Sequence, residues 1–404
     1  MTALPSAPAQ TEGARLSLIA QGLTGSSVVE SRRRADRLAE QGVRILDLGA
    51  GEPDFSAPPV VVEAAMQALR DGNGQYVDPR GLVALRERIA DMETTRHGHP
   101  VTPDQVVVTT GSFGALSIAC RAILDPGDEV LIPEPFWGPY RNLVQMSGGV
   151  AVPVPAEAID GRFSFPGEAL AERITARTRA IVINSPNNPT GRVLSPAELR
   201  AVADLALAHD LWIVADEVYG ELVFGDAVHR SVATLGPEVA RRTIIVNSLS
   251  KTFAMTGWRL GYSIARPDVA TVLARMNHYS VRCPTSFVQQ AAVTAFDSGW
   301  QAVEEMRQSY LGRGQLVARR LARLPGVRFA PPEGTFYAFP RIPEAWGDGT
   351  IFAARLLDEA GVLASAGRSY GASAAQHLRF SFATSTAVLD EAFDRIERLV
   401  GVAP

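Results

Sequence analysis

Lys251 is the residue of this sequence whose setting points most directly to chemistry. It stands in the stretch 247–259, among small hydroxyl residues and apolar ones, with Arg259 eight positions further on. An amine held among apolar neighbours and near another cation is disfavoured in its charged form, which lowers its pKa and makes it a nucleophile toward carbonyl groups. The setting therefore indicates Schiff-base chemistry, with an exposed loop lysine as the alternative.

Two more charged residues lie in apolar runs. Asp216 follows the run 212–215, and Tyr219 comes three positions later. A strand-terminal aspartate can simply cap the next helix, but beside a buried cationic ring nitrogen it would keep that ring protonated, and Tyr219 would offer a hydroxyl to the same ligand. Arg379 lies inside the run 378–382, where an unpaired charge is costly to bury. We therefore expect it to pair with a carboxylate of the protein or of a substrate.

Glycine-containing turns provide two further candidate contacts. At Gly111, Ser112 and Phe113 a strand ends and a helix begins, so the backbone N–H groups and the serine hydroxyl form an anion site, unless the glycine serves the turn alone. The turn 187–191, which contains Asn188, has the Asn-Pro and Gly content of a plain turn. It also follows a predicted parallel strand, at the end where ligand contacts collect.

Aromatic and histidine residues complete the set of candidates. Trp137 is either a flat stacking surface or a core aromatic. Of the six histidines only His97 and His99 are close together, and their neighbours Gly98 and Pro100 indicate a loop. The sequence therefore predicts no metal site.

These candidates require a sheet whose strands end at one edge. Short runs rich in Val and Ile alternate with helix-length segments; the runs are 106–110, 129–132, 150–154, 180–183, 212–215 and 243–246. Continuous apolar strands separated by helices predict a buried parallel sheet with right-handed crossovers. The connection that carries Lys251 is too short for a crossover helix, so the strand 260–265 is expected to run antiparallel.

The whole pattern predicts an α/β protein of two domains, for which 404 residues suffice. A large domain, with a mostly parallel seven-stranded sheet flanked by helices, is expected over residues 56–290. Residues 291–404 have the texture of a smaller α+β domain, which residues 14–55 are expected to join. Residues 1–13 are expected to form a disordered tail rather than a signal peptide.

Composition narrows the compartment and the partners. The net charge is −4, so no basic surplus is available to neutralise a nucleic-acid backbone. Cys120 and Cys283 are too few for a disulfide framework, which suits a reducing cytoplasm. No apolar run approaches the length of a membrane span. Nucleic acid and membrane are therefore not expected as partners.

Taken in order, these residues resemble the fold-type I, pyridoxal-phosphate-dependent aminotransferases, in particular the class I and II group that is similar to aspartate aminotransferase. The resemblance extends from about residue 26 to residue 400. The motifs that carry it are 51–55 (GEPDF), Tyr76, the Gly111 turn, Trp137, 187–191 (NNPTG), 216–219, 248–251, Arg259 and Arg379. Each motif is weak alone, whereas the ordered set is specific.

The resemblance implies a role for each catalytic residue. Lys251 would form the Schiff base with the cofactor and then shuttle a proton at the substrate α-carbon. Asp216 would hold the pyridine nitrogen protonated, which makes the ring an electron sink. Tyr219 and Asn188 would hydrogen-bond to the phenolic oxygen of the cofactor.

The resemblance also implies how cofactor and substrate are held. The cofactor phosphate would be bound by Gly111, Ser112, Phe113, Ser248, Arg259 and Tyr76. Tyr76 would come from a second subunit, so the chain is expected to be a homodimer with a shared site. Trp137 would stack on the ring and border the substrate, which Asn188, Arg379 and the Gly51 backbone would also contact.

The resemblance leaves the substrates open. Phe113 occupies a position where some relatives that prefer dicarboxylic substrates carry a lysine, which favours a neutral or aromatic amino donor. Arg80 or Arg282 could supply the missing charge, although Arg80 also fits a solvated loop.

The predicted activity is ping-pong transfer of an amino group from an L-amino acid to a 2-keto acid in the cytoplasm. One alternative is elimination, cyclisation or oxidase chemistry on the same fold. The other is a catalytically inactive, pyridoxal-phosphate-binding regulatory protein.

Overall fold

A computed structural model describes residues 16–25, 27–98 and 100–402, with the backbone alone for residues 96 and 97. The predicted tail 1–13 and His99 therefore lie outside the described residues, as do Ser26, the predicted start of the first long helix, and the side chain of His97. Within the described part, no helix combines the length and apolarity needed to cross a lipid bilayer.

The described residues form fifteen α-helices. They are α1 (Leu18–Gly22), α2 (Ser27–Glu40), α3 (Pro59–Arg70), α4 (Val83–His97), α5 (Gly111–Ile123), α6 (Pro139–Met146), α7 (Gly167–Glu172), α8 (Pro196–Ala208), α9 (Pro237–Arg242), α10 (Leu249–Thr252), α11 (Pro267–Val281), α12 (Ser286–Ser298), α13 (Trp300–Ala322), α14 (Gly349–Ala360) and α15 (Thr386–Leu399). Local sequence fixes several of the starts. At α8, Ser195 and Glu198 form a reciprocal capping box, and Pro196 takes the first helical position.

The described residues also form fourteen strands. They are β1 (Leu46–Asp47), β2 (Val106–Thr109), β3 (Glu129–Pro133), β4 (Val150–Val154), β5 (Ala158–Ile159), β6 (Arg162–Phe163), β7 (Thr178–Asn184), β8 (Trp212–Asp216), β9 (Thr243–Ser248), β10 (Gly261–Ile264), β11 (Tyr337–Ala338), β12 (Val362–Leu363), β13 (Ser365–Ala366) and β14 (Leu378–Ser381). Seven of them make the central sheet, in the order β2, β10, β9, β8, β7, β3, β4.

The predicted α/β fold with a mostly parallel seven-stranded sheet is confirmed. Strands β3, β4, β7, β8 and β9 pair in parallel, whereas β10 is antiparallel to both β9 and β2, as expected from its short connection. The register pairs Asn184 at the end of β7 with Asp216 at the end of β8. Polar residues that follow the buried strands therefore meet at one edge of the sheet.

Helices cover both faces of the central sheet. Val214 on β8 packs in a cluster with residues of α5 and α6, whereas its neighbour Ile213 packs in another cluster with residues of α8. Both side chains are at most 1% exposed. Because alternate residues of a strand point to opposite faces, burial of both explains why the strand sequences read as continuous apolar runs.

Two smaller sheets share a separate core. Strand β1 pairs in parallel with β12, and β11, β14 and β13 form an antiparallel sheet. Their core contains large aromatic side chains, including Tyr310, Phe336, Phe382 and Phe393. The β1–β12 pairing joins residues 46–47 to residues 362–363, from the two segments that are predicted to share a small domain. The boundaries at residues 14–55, 56–290 and 291–404 remain a prediction.

Short elements account for the differences from the predicted structure. The hairpin of β5 and β6 and the strands β12 and β13 have two residues each, which is too few for a periodic signal. The segments 43–48 and 335–339 are long enough to predict full strands, but only β1 and β11, of two residues each, form there. Residues 249–252, expected as a loop, form the single helical turn α10, whose start is capped by Ser248.

Candidate active site

The predicted residues converge on a cavity at the carboxyl ends of the parallel strands. Its main lobe has a volume of ≈ 450 Å³. The predicted residues that line this lobe are Gly51, Ser112, Trp137, Asn188, Asp216, Tyr219, Lys251 and Arg379. A second lobe of ≈ 570 Å³ is also lined by Gly51, Ser112, Trp137 and Lys251, and it adds Phe113 and Arg259. We call the two lobes together the site cavity.

Lys251 lies on α10, where both lobes of the site cavity meet. Its Nζ donates a hydrogen bond to the carbonyl oxygen of Gly51 and lies 5.6 Å from the centre of the Phe336 ring. Burial lowers the pKa of Lys251 to about 8. Arg379 and Arg259 act in the same direction, whereas Glu52 opposes them. An amine with this pKa is partly uncharged near neutral pH, and therefore able to attack a carbonyl or accept a proton.

Asp216 ends β8 and is 3% exposed. Its Oδ2 accepts a hydrogen bond from the hydroxyl of Tyr140 at 2.6 Å, and its Oδ1 accepts one from the backbone N–H of Val218 at 3.3 Å. Burial raises the pKa of Asp216 to about 6, although both hydrogen bonds lower it. A carboxylate held this way has acceptor capacity left for a cationic ligand.

Tyr219 and Asn188 lie beside Asp216 in the main lobe. The Tyr219 hydroxyl is 3.2 Å from that of Tyr337, and burial raises the pKa of Tyr219 well above its usual value, which keeps the hydroxyl protonated. The backbone N–H of Asn188 donates to Oδ1 of Asn184 at 2.8 Å. The turn 187–191 is thereby tied to the end of β7.

Arg379 lies on β14 and is 4% exposed. Its Nη1 donates to Oδ1 of Asn188 at 3.1 Å and its Nη2 to the carbonyl oxygen of Gly49 at 2.7 Å. The guanidinium carbon lies 4.2 Å from the centre of the Tyr337 ring and 5.3 Å from that of Tyr370. Within the described residues none of these partners is anionic, so the charge is available to a carboxylate ligand.

The glycine turn at the start of α5 forms a cradle beside Arg259. Gly111 has φ of +71°, a conformation that residues with a Cβ rarely adopt. A Cβ placed on Gly111 would lie 2.5 Å from Nη2 of Arg259. The start of this 13-residue helix and a guanidinium therefore face the same space, which is the arrangement that binds anions.

Trp137 lies between two other aromatic rings. Its ring centre is 4.7 Å from that of Phe113 and 5.3 Å from that of Tyr140, and both contacts are edge-to-face. Such pairs restrain the indole. Trp137 is half-buried and lines both lobes, so one face of the ring can stack on a planar ligand.

Two of the predicted phosphate contacts, Ser248 and Tyr76, are not among the described residues that line the site cavity, although Tyr76 is expected to reach only the site of a second subunit. Ser248 is 2% exposed and its hydroxyl donates to the Leu260 carbonyl oxygen at 3.0 Å, so it links the end of β9 to the residue before β10 instead of lining the site cavity. Ser250, two positions later, lines the second lobe. Tyr76 is 76% exposed and stacks with Arg282, whose guanidinium carbon is 4.6 Å from the ring centre.

The structure also places the arginines considered as substitutes for a lysine at Phe113. Arg80 donates to Oγ1 of Thr271 at 2.7 Å and pairs with Asp104 at 3.5 Å, and it is not among the described residues that line the site cavity. Arg282 is at the surface beside Tyr76. Two other arginines, Arg141 and Arg368, line the main lobe.

Sequence reasoning missed several residues of the site cavity. Tyr140, Tyr337, Tyr370 and Ser250 all line it. Tyr140 follows Trp137 by three positions, so a helix starting there would have predicted that both lie on one side. Ser250 is adjacent to the predicted Lys251 in the sequence. Tyr337 and Tyr370 reach the cavity through tertiary packing, for which one sequence has no signal.

Comparison with known proteins identifies the family. The model for aminotransferase class I and II matches residues 43–396. The chain is 38% identical over 384 residues to an aspartate aminotransferase of Geobacillus stearothermophilus, covering 94% of this chain and 97% of the relative. It is 41% identical over 372 residues to an arginine–pyruvate transaminase of Pseudomonas aeruginosa, covering 92% and 94%.

A solved structure gives the same result for the fold. The chain superimposes on an aromatic aminotransferase of Pyrococcus horikoshii with a TM-score of 0.86 and 38% sequence identity, covering 91% of this chain and 98% of the other. The three proteins are named for acidic, basic and aromatic amino acids. Overall similarity therefore supports the reaction and leaves the amino donor open.

Proposed function

This chain belongs to the class I and II aminotransferases and transfers an amino group between an amino acid and a keto acid, and we propose that Lys251, Asp216 and Arg379 carry that reaction. The observation that supports this proposal is their convergence on one main lobe. There, an amine with a pKa of about 8, a buried carboxylate and a guanidinium without an anionic partner among the described residues face the same space.

The family implies pyridoxal phosphate as the cofactor, and the residues of the site cavity fit it. We propose that the start of α5 at Gly111, Ser112 and Phe113 holds the phosphate together with Arg259, because this is the anion cradle of the site. In place of Ser248, whose hydroxyl is turned to Leu260, we propose the neighbouring Ser250 as the serine contact.

The family implies the remaining contacts to the cofactor, and the charge and shape of the residues present fit them. Asp216 would accept a hydrogen bond from the ring nitrogen and so favour its protonated form. Tyr219 and Asn188 would donate to the phenolic oxygen, and Trp137 would stack on the ring. When bound, pyridoxal phosphate supplies an aldehyde that bonds to amines and a ring that accepts the electron pair released at the substrate α-carbon.

Two side chains handle the substrate. Lys251 takes up and returns the proton of the substrate α-carbon at Nζ, for which a lowered pKa is required. Arg379 binds the α-carboxylate through its two terminal nitrogens, while Asn188 and Gly49 hold the guanidinium in place. The Gly51 carbonyl oxygen accepts a hydrogen bond from Lys251, and the Gly49 carbonyl oxygen accepts one from Arg379. The backbone at Gly49 and Gly51 would therefore lie next to the substrate.

For the amino donor we propose a neutral or aromatic L-amino acid. Phe113 gives the second lobe an aromatic wall with Trp137, where a lysine would favour a second carboxylate. Arg141 and Arg368 on the main lobe favour a second candidate, a donor with an acidic side chain. In a ping-pong reaction the donor and the keto acid acceptor occupy the same cavity in turn. The aromatic wall can therefore contact one of these substrates, and the two arginines can bind an acidic side chain of the other.

We also propose a homodimer in the cytoplasm, with Tyr76 reaching the phosphate of the neighbouring subunit. Tyr76, at 76% exposure, and Tyr279, at 88%, are large side chains on the surface of this chain. A second copy would cover them and bring the Tyr76 hydroxyl to a site that it does not line in its own chain. The free cysteines Cys120 and Cys283 support a reducing compartment.

Adding single L-amino acids to the purified protein loaded with pyridoxal phosphate, without any keto acid, tests the proposal. The absorption band of the aldehyde form is expected to give way to that of the amine form with phenylalanine or leucine, and an aspartate-only response would favour the acidic donor. Lys251→Ala should abolish this conversion while circular dichroism shows an intact fold. Conversion at a near-normal rate in that variant would refute the assignment of Lys251.

A further inference from the structure

Tyr140 is a buried residue of the site cavity to which the proposed reaction assigns no role. It lies on α6, is 3% exposed, and donates its hydroxyl to Oδ2 of Asp216 at 2.6 Å. Its ring also contacts Trp137 edge-to-face, with ring centres 5.3 Å apart. One side chain thus contacts both the carboxylate proposed for the cofactor ring nitrogen and the indole proposed for the ring face.

We propose that Tyr140 is a positioning residue that keeps Asp216 ionised and oriented toward the ring nitrogen of the cofactor. The inference rests on the proposed function, since it needs a cofactor ring beside Asp216. A carboxylate that accepts one charge-assisted hydrogen bond at Oδ2 is fixed in rotation and has acceptor sites left for a ring N–H.

The electrostatic surroundings of Asp216 explain why such a donor is needed. Burial raises the pKa of Asp216 to about 6, and the neighbouring Glu217 acts in the same direction. Tyr140, the Val218 backbone N–H and Lys251 lower it. Burial raises the pKa of Tyr140 itself well above its usual value, so its hydroxyl remains a donor.

Removing the hydroxyl should therefore have an effect that depends on pH. Without its strongest donor, the carboxyl group holds a proton at a higher pH than in the native protein. At pH 6 much of the free protein would then be protonated at Asp216, and binding of a protonated ring would first require that proton to leave. At pH 8 the carboxylate is charged with or without Tyr140, and the difference largely disappears.

Tyr140→Phe removes the hydroxyl and keeps the ring that packs on Trp137. Tyr262 provides a matched control, because its hydroxyl donates to Oε1 of Glu93 at the same distance of 2.6 Å, and both residues are at most 2% exposed. Neither is among the described residues that line the site cavity. Tyr262→Phe thus removes the same kind of buried bond away from the cofactor.

The experiment titrates the cofactor-free apoprotein with pyridoxal phosphate at pH 6 and pH 8, following the visible band of the bound cofactor. For Tyr140→Phe we expect the dissociation constant to rise about 5-fold at pH 6, the result of raising the pKa of Asp216 from about 6 by roughly one unit, and clearly less at pH 8. The pH midpoint of the band in the loaded protein should also move. For Tyr262→Phe, the dissociation constant for pyridoxal phosphate should equal that of the native protein at both pH values.

The outcomes separate the inference from the function on which it rests. A loss of affinity in Tyr140→Phe that is equal at pH 6 and pH 8, or no loss at all, would mean that Tyr140 only packs the core, and the proposed function would stand. If the native protein forms no visible band that depends on Lys251, the proposed function itself is wrong.

Discussion

Burial shifts the pKa values of the two main ionisable residues of the site, Asp216 and Lys251, in opposite directions. Burial raises the pKa of the Asp216 carboxyl to about 6 and lowers that of the Lys251 amine to about 8, because it disfavours the charged form of each. Near pH 7 the carboxylate is still mostly ionised, while part of the amine is uncharged. The same cavity can therefore hold a cationic ring and provide a base.

Arg379 is proposed to bind the substrate and not the cofactor, so its replacement should affect the binding of the two differently. We expect Arg379→Ala to lower kcat/KM roughly 100-fold or more through a higher KM, because two charge-assisted hydrogen bonds to the α-carboxylate are lost. Affinity for pyridoxal phosphate should change far less. Steady-state kinetics with phenylalanine, together with cofactor titration of the apoprotein, measure both effects.

Arg368→Ala is the matched control for this prediction. It removes an arginine from the same main lobe while the contacts of Arg379 to Asn188 and Gly49 stay in place. A substrate with one carboxylate should respond little to it. If Arg379→Ala instead released the cofactor and left KM unchanged, the guanidinium would belong to the cofactor and not to the substrate.

Among the elements, the start of α5 is the one that backbone geometry defines most sharply. In Gly111→Ala the new Cβ would meet the Arg259 guanidinium at 2.5 Å, and the flexible side chain would have to move away. The cradle would then lose its cation. We expect pyridoxal phosphate to bind about 10-fold more weakly or worse, as for the loss of one hydrogen bond to a charged group, in titrations of the apoprotein.

Gly127→Ala is the control that separates backbone strain at a positive φ from displacement of the Arg259 side chain. Gly127 also has a positive φ, of +89°, but a Cβ there would meet nothing within 4 Å. Both variants should lose a similar 1–2 kcal/mol of stability, roughly the left-handed backbone penalty, and only Gly111→Ala should lose cofactor affinity. Equal cofactor affinity in the two variants would contradict the proposed cradle.

The long apolar strands and the polar residues at their ends could be predicted, since parallel strands carry a continuous apolar signal and their ends meet by rule. Contacts that depend on side-chain direction could not. Ser248 and Ser250 are equally plausible phosphate contacts in sequence, and only the capping of α10 turns the Ser248 hydroxyl toward Leu260. Tyr140 meets Asp216 across 76 residues of chain, a contact without a local signature.

For the whole molecule, one buried histidine links stability to pH. His377 is 2% exposed and stacks on Phe339 with ring centres 5.2 Å apart. Burial lowers the pKa of His377 to about 4, and the charge of Arg341 acts in the same direction. Because the folded-state pKa lies below the unfolded value of 6.5, the unfolded chain binds the extra proton first, and stability falls as the pH drops from 6.5 toward 4.

From pH 7 to pH 5 this single group should remove about 2 kcal/mol from the free energy of unfolding. His377→Phe keeps an aromatic ring beside Phe339 and has no proton to bind. We expect its loss of stability over the same interval to be smaller by about that amount, in denaturant titrations at fixed protein and cofactor concentrations. An unchanged difference between pH 7 and pH 5 would mean that His377 does not titrate in this range.

The proposed shared site predicts that two inactive or weakened variants can complement each other in a hybrid dimer. In a shared site, Lys251 of one subunit works with Tyr76 of the other. A hybrid of one Lys251→Ala subunit and one Tyr76→Ala subunit would then contain one complete site, because the chain that keeps its lysine receives the native tyrosine from its partner. With differently tagged chains to isolate it, the hybrid should have about half the native activity per dimer.

The parent homodimers are the controls for the hybrid. Lys251→Ala alone should be inactive, and Tyr76→Ala alone should bind pyridoxal phosphate more weakly. If Tyr76 instead served the site of its own chain, the lysine-bearing site of the hybrid would lack the tyrosine, and the hybrid would reach no more than half the activity of the Tyr76→Ala parent. The two arrangements differ only in which subunit supplies the Tyr76 hydroxyl. Activity of the hybrid above that of both parent homodimers therefore requires a site built from both chains.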